Sequence, residues 1–127
     1  MDIKFGLALQ EDGYKVTEKA INAEVMGFDS VWIGEHVVWL HPIHDSLMVL
    51  SALSSVTRTI QLGTGIVLLS LKHPVLVCKS VTTLDHMSDG RVRFGVGIGG
   101  EYPKEFDAMG IPVAARGPRT DEALHLM

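Results

Sequence analysis

The stretch Asp29-Ser30-Val31-Trp32-Ile33-Gly34 has the pattern of a short buried strand that ends at a glycine. Further strands are predicted to begin near residues 2, 60 and 91, so strands recur at a spacing of roughly 30 residues. One strand and one helix fill such a repeat, and a chain of these repeats forms a parallel sheet. The sequence therefore predicts an α/β protein of about four βα units.

The segments between the strands have helical spacing of apolar residues. Helices are predicted over 14–26, 46–56, 75–87 and 118–127, with a short helical turn over 103–109. The segment 75–87 is rich in β-branched residues, which favour strands, but its length and the following Asp89-Gly90 favour a helix. Asp45 is placed to cap the helix 46–56, whose apolar residues on more than one face are typical of a mostly buried helix.

Three of the predicted strands carry small residues on one face and bulky residues on the other. The small residues are Gly6 and Ala8, Gly63 and Gly65, and Gly95 and Gly97. We expect the bulky face to pack against helices and the small face to line a tightly curved interior. Two architectures are built from such βα units: the TIM-type (β/α)₈ barrel, typically about 250 residues long, and the open doubly wound sheet. Four units make half a barrel, so we expect a chain that is complete in itself and half of an ancestral design.

The composition excludes several classes of protein. The chain has 127 residues, 46% hydrophobic and 20% charged, which indicates one folded domain rather than a disordered segment. A net charge of −4 argues against binding to a nucleic-acid backbone. No apolar run approaches the roughly 20 residues of a membrane span, and no secretory signal is visible. With Cys78 as its single cysteine, the chain suits a cytoplasmic location.

Five motifs resemble the luciferase-like monooxygenase superfamily. They are GFDSVWIGEH (27–36), IQLGTG (60–65), LDHMSDGR (84–91), GVGIG (95–99) and RGPRTDE (116–122). Each motif alone is weak, but five in the same order are specific, and they span nearly the whole chain. The resemblance is closest to members that use the deazaflavin coenzyme F420, with FMN-dependent members close behind. It implies an oxidoreductase of small molecules on a (β/α)₈ barrel, with residues 1–127 as the N-terminal half of that barrel.

The resemblance also implies the site residues. It places a functional histidine at His36, beside Glu35, which would orient the imidazole or bond a ring heteroatom. A histidine titrates near neutrality, and strand C-termini face the active site of a barrel, whereas the alternative for both residues is an exposed loop. The resemblance further maps a bulge and a non-prolyl cis peptide onto Gly65-Ile66. The residues predicted to contact F420 or FMN are Ala8, Thr64, Gly65, Ile66, Gly97, Ile98 and Gly99.

Three other features admit two interpretations each. His36, His41 and His44 could suggest a metal site, but their spacing matches no standard ligand pattern, so we expect no metal. The glycines of 95–100 satisfy GxGxxG but end the fourth strand. We therefore expect these glycines either to let the backbone approach a flat ring closely or to allow tight packing inside the barrel. The apolar loop 37–44 is either a pocket wall or lid, or a loop packed on its own barrel.

The half-barrel prediction has a consequence for assembly. The first and fourth strands would have unpaired edges, which invite pairing with another chain, so we expect a homo-oligomer in which two copies complete eight strands. The alternative function is a truncated or non-catalytic half-barrel that acts only as an assembly partner. The phosphate site of barrels is usually built after strands seven and eight, which this chain does not contain.

Overall fold

The computed structural model describes residues 3–9 and 15–127, in which strands alternate with helices. The strands are β1 (Gly6–Ala8), β2 (Ser30–Ile33), β3 (Gln61–Thr64), β4 (Val67–Leu68), β5 (Val92–Arg93) and β6 (Val96–Gly97). The helices are α1 (Val16–Val25), α2 (Ser46–Val56), α3 (Pro74–Met87), α4 (Pro103–Ala108) and α5 (Arg116–Leu126). One parallel sheet has the order β1-β2-β3-β5, and β4 pairs with β6 in a second parallel ladder. The predicted α/β class with a parallel sheet is confirmed.

The helix predictions agree with these bounds to within about two residues wherever the structure tests them. Helix α2 has the predicted ends, and the Asp45 carboxylate caps it by accepting a hydrogen bond from the Met48 N–H at 3.0 Å. Helix α3 forms despite its β-branched residues because Val77 and Leu84 are buried in the core. The predicted start of the first helix at residue 14 lies outside the described residues. Within the described ranges, no helix combines the length and apolar character that membrane crossing requires.

The helices pack against one face of the sheet. Val31, Ile33 and Leu62 point from the strands into one continuous core. The helical residues of that core come from α1, α2, α3 and α5, and they are Ala20, Ala23, Leu47, Leu50, Leu53, Val77, Leu84 and Ala123. A doubly wound sheet carries helices on both faces. In the described part of the chain, the arrangement therefore favours the barrel over the doubly wound alternative.

The opposite face of the sheet carries small residues, as predicted, and a large ring lies across them. A Cβ atom added at Gly6 would lie 2.6 Å from the indole Nε1 of Trp32, and one added at Gly63 would lie 2.3 Å from its Cε3. The indole Nε1 donates a hydrogen bond to Ser30 Oγ at 2.8 Å. The glycines of this face thus make room for a tryptophan on the strand between them.

The predicted third and fourth strands, 60–66 and 91–98, are both interrupted at the same level. Gly63 pairs with Arg93 before the interruption and Val67 pairs with Val96 after it, so residues 64–66 lie opposite residues 94–95. An extra residue on one strand is a β-bulge, a feature that is common next to active sites. The peptide bond between Gly65 and Ile66 is cis. Both the bulge and the cis peptide that the resemblance implied are confirmed.

Thr64 holds the interrupted strands together. Its buried hydroxyl donates to the carbonyl oxygen of Gly95 and accepts from the Gly95 N–H, both at 2.8 Å. These two bonds satisfy backbone groups that a regular ladder would otherwise pair. A Cβ at residue 95 would lie 2.3 Å from the Thr64 carbonyl oxygen, so the close approach requires glycine.

The interruption also corrects the predicted alternation along 91–98. Val92, Phe94 and Val96 do pack against the core. An alternation with a period of two along 91–98 predicts Ile98 on the same face, but Ile98 lies beyond the end of β6 and is 46% exposed. The strict period of two fails because the chain changes its pairing between β5 and β6.

Candidate functional site

The predicted site residues lie at the carboxyl ends of the parallel strands. Ala8 ends β1, Glu35 and His36 follow β2, residues 64–66 follow or end β3, and residues 97–99 end or follow β6. Active sites of parallel α/β proteins form along this edge. The structure therefore brings the predicted residues to one edge, where their individual contacts differ.

The His36 ring is held by two contacts. Its Nδ1 lies 2.9 Å from Oε1 of Glu105, and its face stacks on Trp39 with ring centroids 3.7 Å apart and planes 12° apart. Trp39 in turn meets Tyr102 edge-on at 5.2 Å. The His36 side chain is 24% exposed, and no other described residue hydrogen-bonds its Nε2. The ring is thus hydrogen-bonded at Nδ1 and, among the described residues, has no hydrogen-bond partner at Nε2.

Glu105 is the site residue that sequence reasoning missed. It lies on the short helix α4 and is only 2% exposed. Its second oxygen, Oε2, accepts a hydrogen bond from the Val37 N–H at 2.7 Å. A glutamate in a short segment with several charged neighbours has the sequence pattern of an exposed residue. Only the packing of the loop after β6 against the loop after β2 reveals its burial.

Glu35 does not contact the imidazole that we expected it to orient. Its Oε1 forms an ion pair with the Lys72 ammonium at 2.6 Å, and its Oε2 accepts from the Leu68 N–H at 3.4 Å. Burial raises the pKa of Glu35 above its usual value, although the ion pair with Lys72 opposes that effect. The contact expected of Glu35 is made by Glu105 instead. A bond from Glu35 to a cofactor heteroatom stays a prediction.

Lys72 links Glu35 to the start of α2. Its ammonium lies 2.9 Å from Oδ2 of Asp45, the residue that caps that helix. Burial works to lower the pKa of Lys72, but the bonds to the two carboxylates outweigh it and raise that pKa. A cavity of about 880 Å³ opens beside this cluster, and α2 and α3 supply apolar wall residues such as Leu47 and Leu76.

The bulge places an apolar surface at the strand ends, formed by Ile66 with Gly65, Gly97 and Ile98 around it, which we call the Ile66 shelf. Ile66 is 38% exposed, and its side chain lies over Gly97, where an added Cβ would be 1.8 Å from Ile66 Cδ1. Gly65 and Ile98 beside it are also exposed. An exposed apolar side chain flanked by bare backbone gives a flat ring a surface to contact. Few polar groups would lose their water when the ring binds there. The residues present therefore fit a flavin or deazaflavin ring.

The remaining predicted contacts are less direct. The Thr64 side chain is buried and bonded to Gly95, and Gly99 packs toward Leu68 and Phe106. Their contacts with a cofactor stay predictions, as does that of Ala8. In the loop 37–44, Leu40 is exposed rather than packed on the sheet, and Val37 and Ile43 line the cavity beside Lys72, which favours the pocket-wall interpretation. His41 and His44 are exposed on the same loop.

The sequence is similar to known oxidoreductases. It is 35% identical over 124 residues to 4-hydroxyprotoasukamycin monooxygenase from Streptomyces nodosus subsp. asukaensis. That match covers 96% of this chain and 32% of the relative, so the chain spans about a third of the relative's length. The sequence profile of luciferase-like monooxygenases matches residues 7–127.

Two solved structures match the fold along nearly the whole chain. An F420-dependent secondary alcohol dehydrogenase in complex with an F420–acetone adduct has a TM-score of 0.82 at 29% identity, covering 98% of this chain and 41% of that one. The oxygenating constituent of 3,6-diketocamphane monooxygenase from Pseudomonas putida, in complex with FMN, has a TM-score of 0.88 at 23% identity, covering 99% and 38%. The fold is thus part of the TIM-barrel architecture of these enzymes. The chain belongs to the luciferase-like monooxygenase family.

Proposed function

We propose that residues 1–127 form the N-terminal half of a luciferase-like (β/α)₈ barrel that transfers hydride between FMN or coenzyme F420 and a small-molecule substrate. The observation that carries the proposal is the pairing of His36 with the buried Glu105 at the strand-end edge that also carries the Ile66 shelf. Similarity to an F420-dependent dehydrogenase and to a monooxygenase in complex with FMN supports both cofactors. We also propose a cytoplasmic location, in line with the single cysteine.

Some residues of this chain would hold the cofactor ring, and His36 would transfer the substrate's proton. Ile66, Gly65 and Gly97 would hold one face of the ring, with Ala8, Thr64, Ile98 and Gly99 around it. The flavin or deazaflavin supplies the hydride chemistry when it is bound. His36 would give or take the substrate's proton at Nε2, and the stacked Trp39 would shield one face of the imidazole from water.

Cofactor binding by the Ile66→Asp variant tests the proposal. We expect the purified chain to bind FMN or F420 in a titration followed by absorbance and fluorescence. A carboxylate at residue 66 should weaken that binding at least tenfold, because it would be desolvated against an apolar ring. The control is Val25→Asp, which places the same charge at an exposed β-branched position at the end of α1. Equal binding by both variants would contradict the proposed shelf.

The second candidate is a half-barrel that acts only as an assembly partner. It is favoured by β1, which lies at the edge of the described sheet with Phe5 exposed beside it. A wild-type chain that binds neither FMN nor F420 would favour this candidate over the first.

A further inference from the structure

We infer that Lys72 is a positioning residue that closes the base of the loop after β2, because its ammonium binds the carboxylates at both ends of that loop. Glu35 directly precedes the loop, and Asp45 directly follows it. We call these two ion pairs the Lys72 bridge. The inference deepens the proposed function, on which its meaning for catalysis rests, since the loop carries the stacked rings of His36 and Trp39.

The two pairs of the Lys72 bridge differ in strength. The Lys72 Nζ lies 2.6 Å from Oε1 of Glu35 and 2.9 Å from Oδ2 of Asp45. The Glu35 side chain is only 2% exposed and that of Asp45 is 42% exposed, so water screens the second pair more than the first. Although burial opposes it, these bonds raise the pKa of Lys72, so the ammonium stays charged at neutral pH. One cation therefore holds both ends of the loop.

The backbone that carries the ammonium is itself anchored. Lys72 follows the 3₁₀ turn Leu69–Leu71, whose three residues are buried, and its N–H donates to the first carbonyl oxygen of that turn at 3.2 Å. The Ser70 hydroxyl donates to the Ile98 carbonyl oxygen at 2.9 Å, and the Ser70 carbonyl oxygen accepts from Arg119 Nε at 2.8 Å. The Lys72 bridge thus connects the loop to a turn that is fixed from several sides.

The alternative is that Lys72 only stabilises the fold and that Glu105 alone holds the loop. Among the described contacts, Glu105 binds the first two residues of the loop, starting with the His36 ring. Trp39 lies beyond those two residues and is 36% exposed. If Glu105 is sufficient, loss of the ammonium would leave the Trp39 ring in place. If the Lys72 bridge is needed, that ring would leave its stack on His36.

The test is ¹⁹F NMR of the chain labelled with 5-fluorotryptophan. The chain has two tryptophans, Trp39 on the loop and Trp32 on β2, and Trp39→Phe identifies the loop signal. In Lys72→Met we expect the Trp39 signal to move most of the way to its position in the urea-unfolded chain, while the Trp32 signal stays. The control is Lys79→Met, which removes an exposed ammonium from the wall of the same cavity and should move neither signal.

Two further variants separate charge from the other roles of these residues. Asp45→Asn keeps an oxygen that can cap α2 but loses the ion pair. It should move the Trp39 signal in the same direction as Lys72→Met but by less, because the pair that it removes is the more exposed one. Lys72→Arg should keep the wild-type signal, because a guanidinium can also bind two carboxylates.

Three results would overturn the inference: an unmoved Trp39 signal in a folded Lys72→Met chain, equal movement of the Trp39 and Trp32 signals, or a Lys72→Arg signal as displaced as that of Lys72→Met. If Lys72→Met fails to fold, Asp45→Asn decides in its place, and an unmoved Trp39 signal there overturns the inference. The readout needs neither cofactor nor turnover. A chain that binds neither FMN nor F420 but loses the stack in Lys72→Met would refute the proposed function and keep this inference.

Discussion

At the scale of single residues, the His36 ring differs from the other loop histidines in having defined partners. His44 lies on the same apolar loop and is exposed, whereas His36 contacts Glu105 and Trp39. This contrast provides a matched pair for testing whether the histidine acts on a proton.

We expect His36→Ala, in a full-length barrel that carries this half, to slow turnover by roughly 10²–10⁴, the usual contribution of one proton-transfer group. Cofactor affinity should change much less, because the shelf around Ile66 is untouched. Steady-state kcat and a cofactor titration measure the two effects separately. His44→Ala is the control and should behave as wild type; an unchanged kcat in His36→Ala would rule out the role.

A second residue with defined partners is Arg91, which is buried below the barrel edge rather than at the site. Its guanidinium donates to the carbonyl oxygens of Ser54, Ile60 and Ser88 and to both oxygens of Thr57. One side chain thus joins the end of α2, the start of β3 and the end of α3.

Arg91→Met should destabilise the fold by about 3 kcal/mol or more, because it leaves several buried acceptors without a donor. Arg91→Lys should recover only part of this, since an ammonium cannot reproduce the planar fork. Urea denaturation gives both values. Arg93→Met is the control, because Arg93 is exposed and bonds only its neighbour's carbonyl among the described residues; equal losses in the two variants would refute this account.

At the scale of elements, the end of α1 is tied to the start of β3 by one carboxylate. Glu24 accepts hydrogen bonds from the backbone N–H groups of Arg58, Thr59 and Ile60 and from the Thr59 hydroxyl. Burial works to raise the pKa of Glu24, but these donors outweigh it and lower the pKa to about 2.

The stabilisation from Glu24 should depend on pH. The folded-state pKa lies below the unfolded value, so the contribution is complete above about pH 4.5 and disappears as the pH falls toward 2. We expect Glu24→Gln to lower the free energy of unfolding by about 1 kcal/mol at pH 7, the size expected for a partly exposed group, and by less at pH 3. Glu18→Gln on the same helix is the control. A deficit that is the same at both pH values would contradict the account.

At the scale of the whole molecule, the sequence predicts the repeat of βα units but does not predict the side-chain contacts between different units. The bounds of α2 follow from a cap and a continuous apolar pattern, both of which are local. The Glu105–His36 pair joins residues 69 positions apart, and the Lys72–Glu35 pair joins two different βα units. No local pattern encodes such pairs, because they depend on how the units pack. The bulge at Gly65-Ile66 was predicted only through family resemblance.

The last prediction concerns assembly of the whole chain. β1 lies at one edge of the four-stranded sheet and β5 at the other, and both edges have backbone groups that another strand could pair. We therefore expect the isolated chain to form homo-oligomers, detectable by size-exclusion chromatography with light scattering. A lysine at an exposed edge position opposes edge pairing, so Phe5→Lys should shift the population toward monomer. Leu126→Lys, at an exposed position on α5 away from the edge, should not. A monodisperse, folded wild-type monomer would show that the edges are protected within the chain itself.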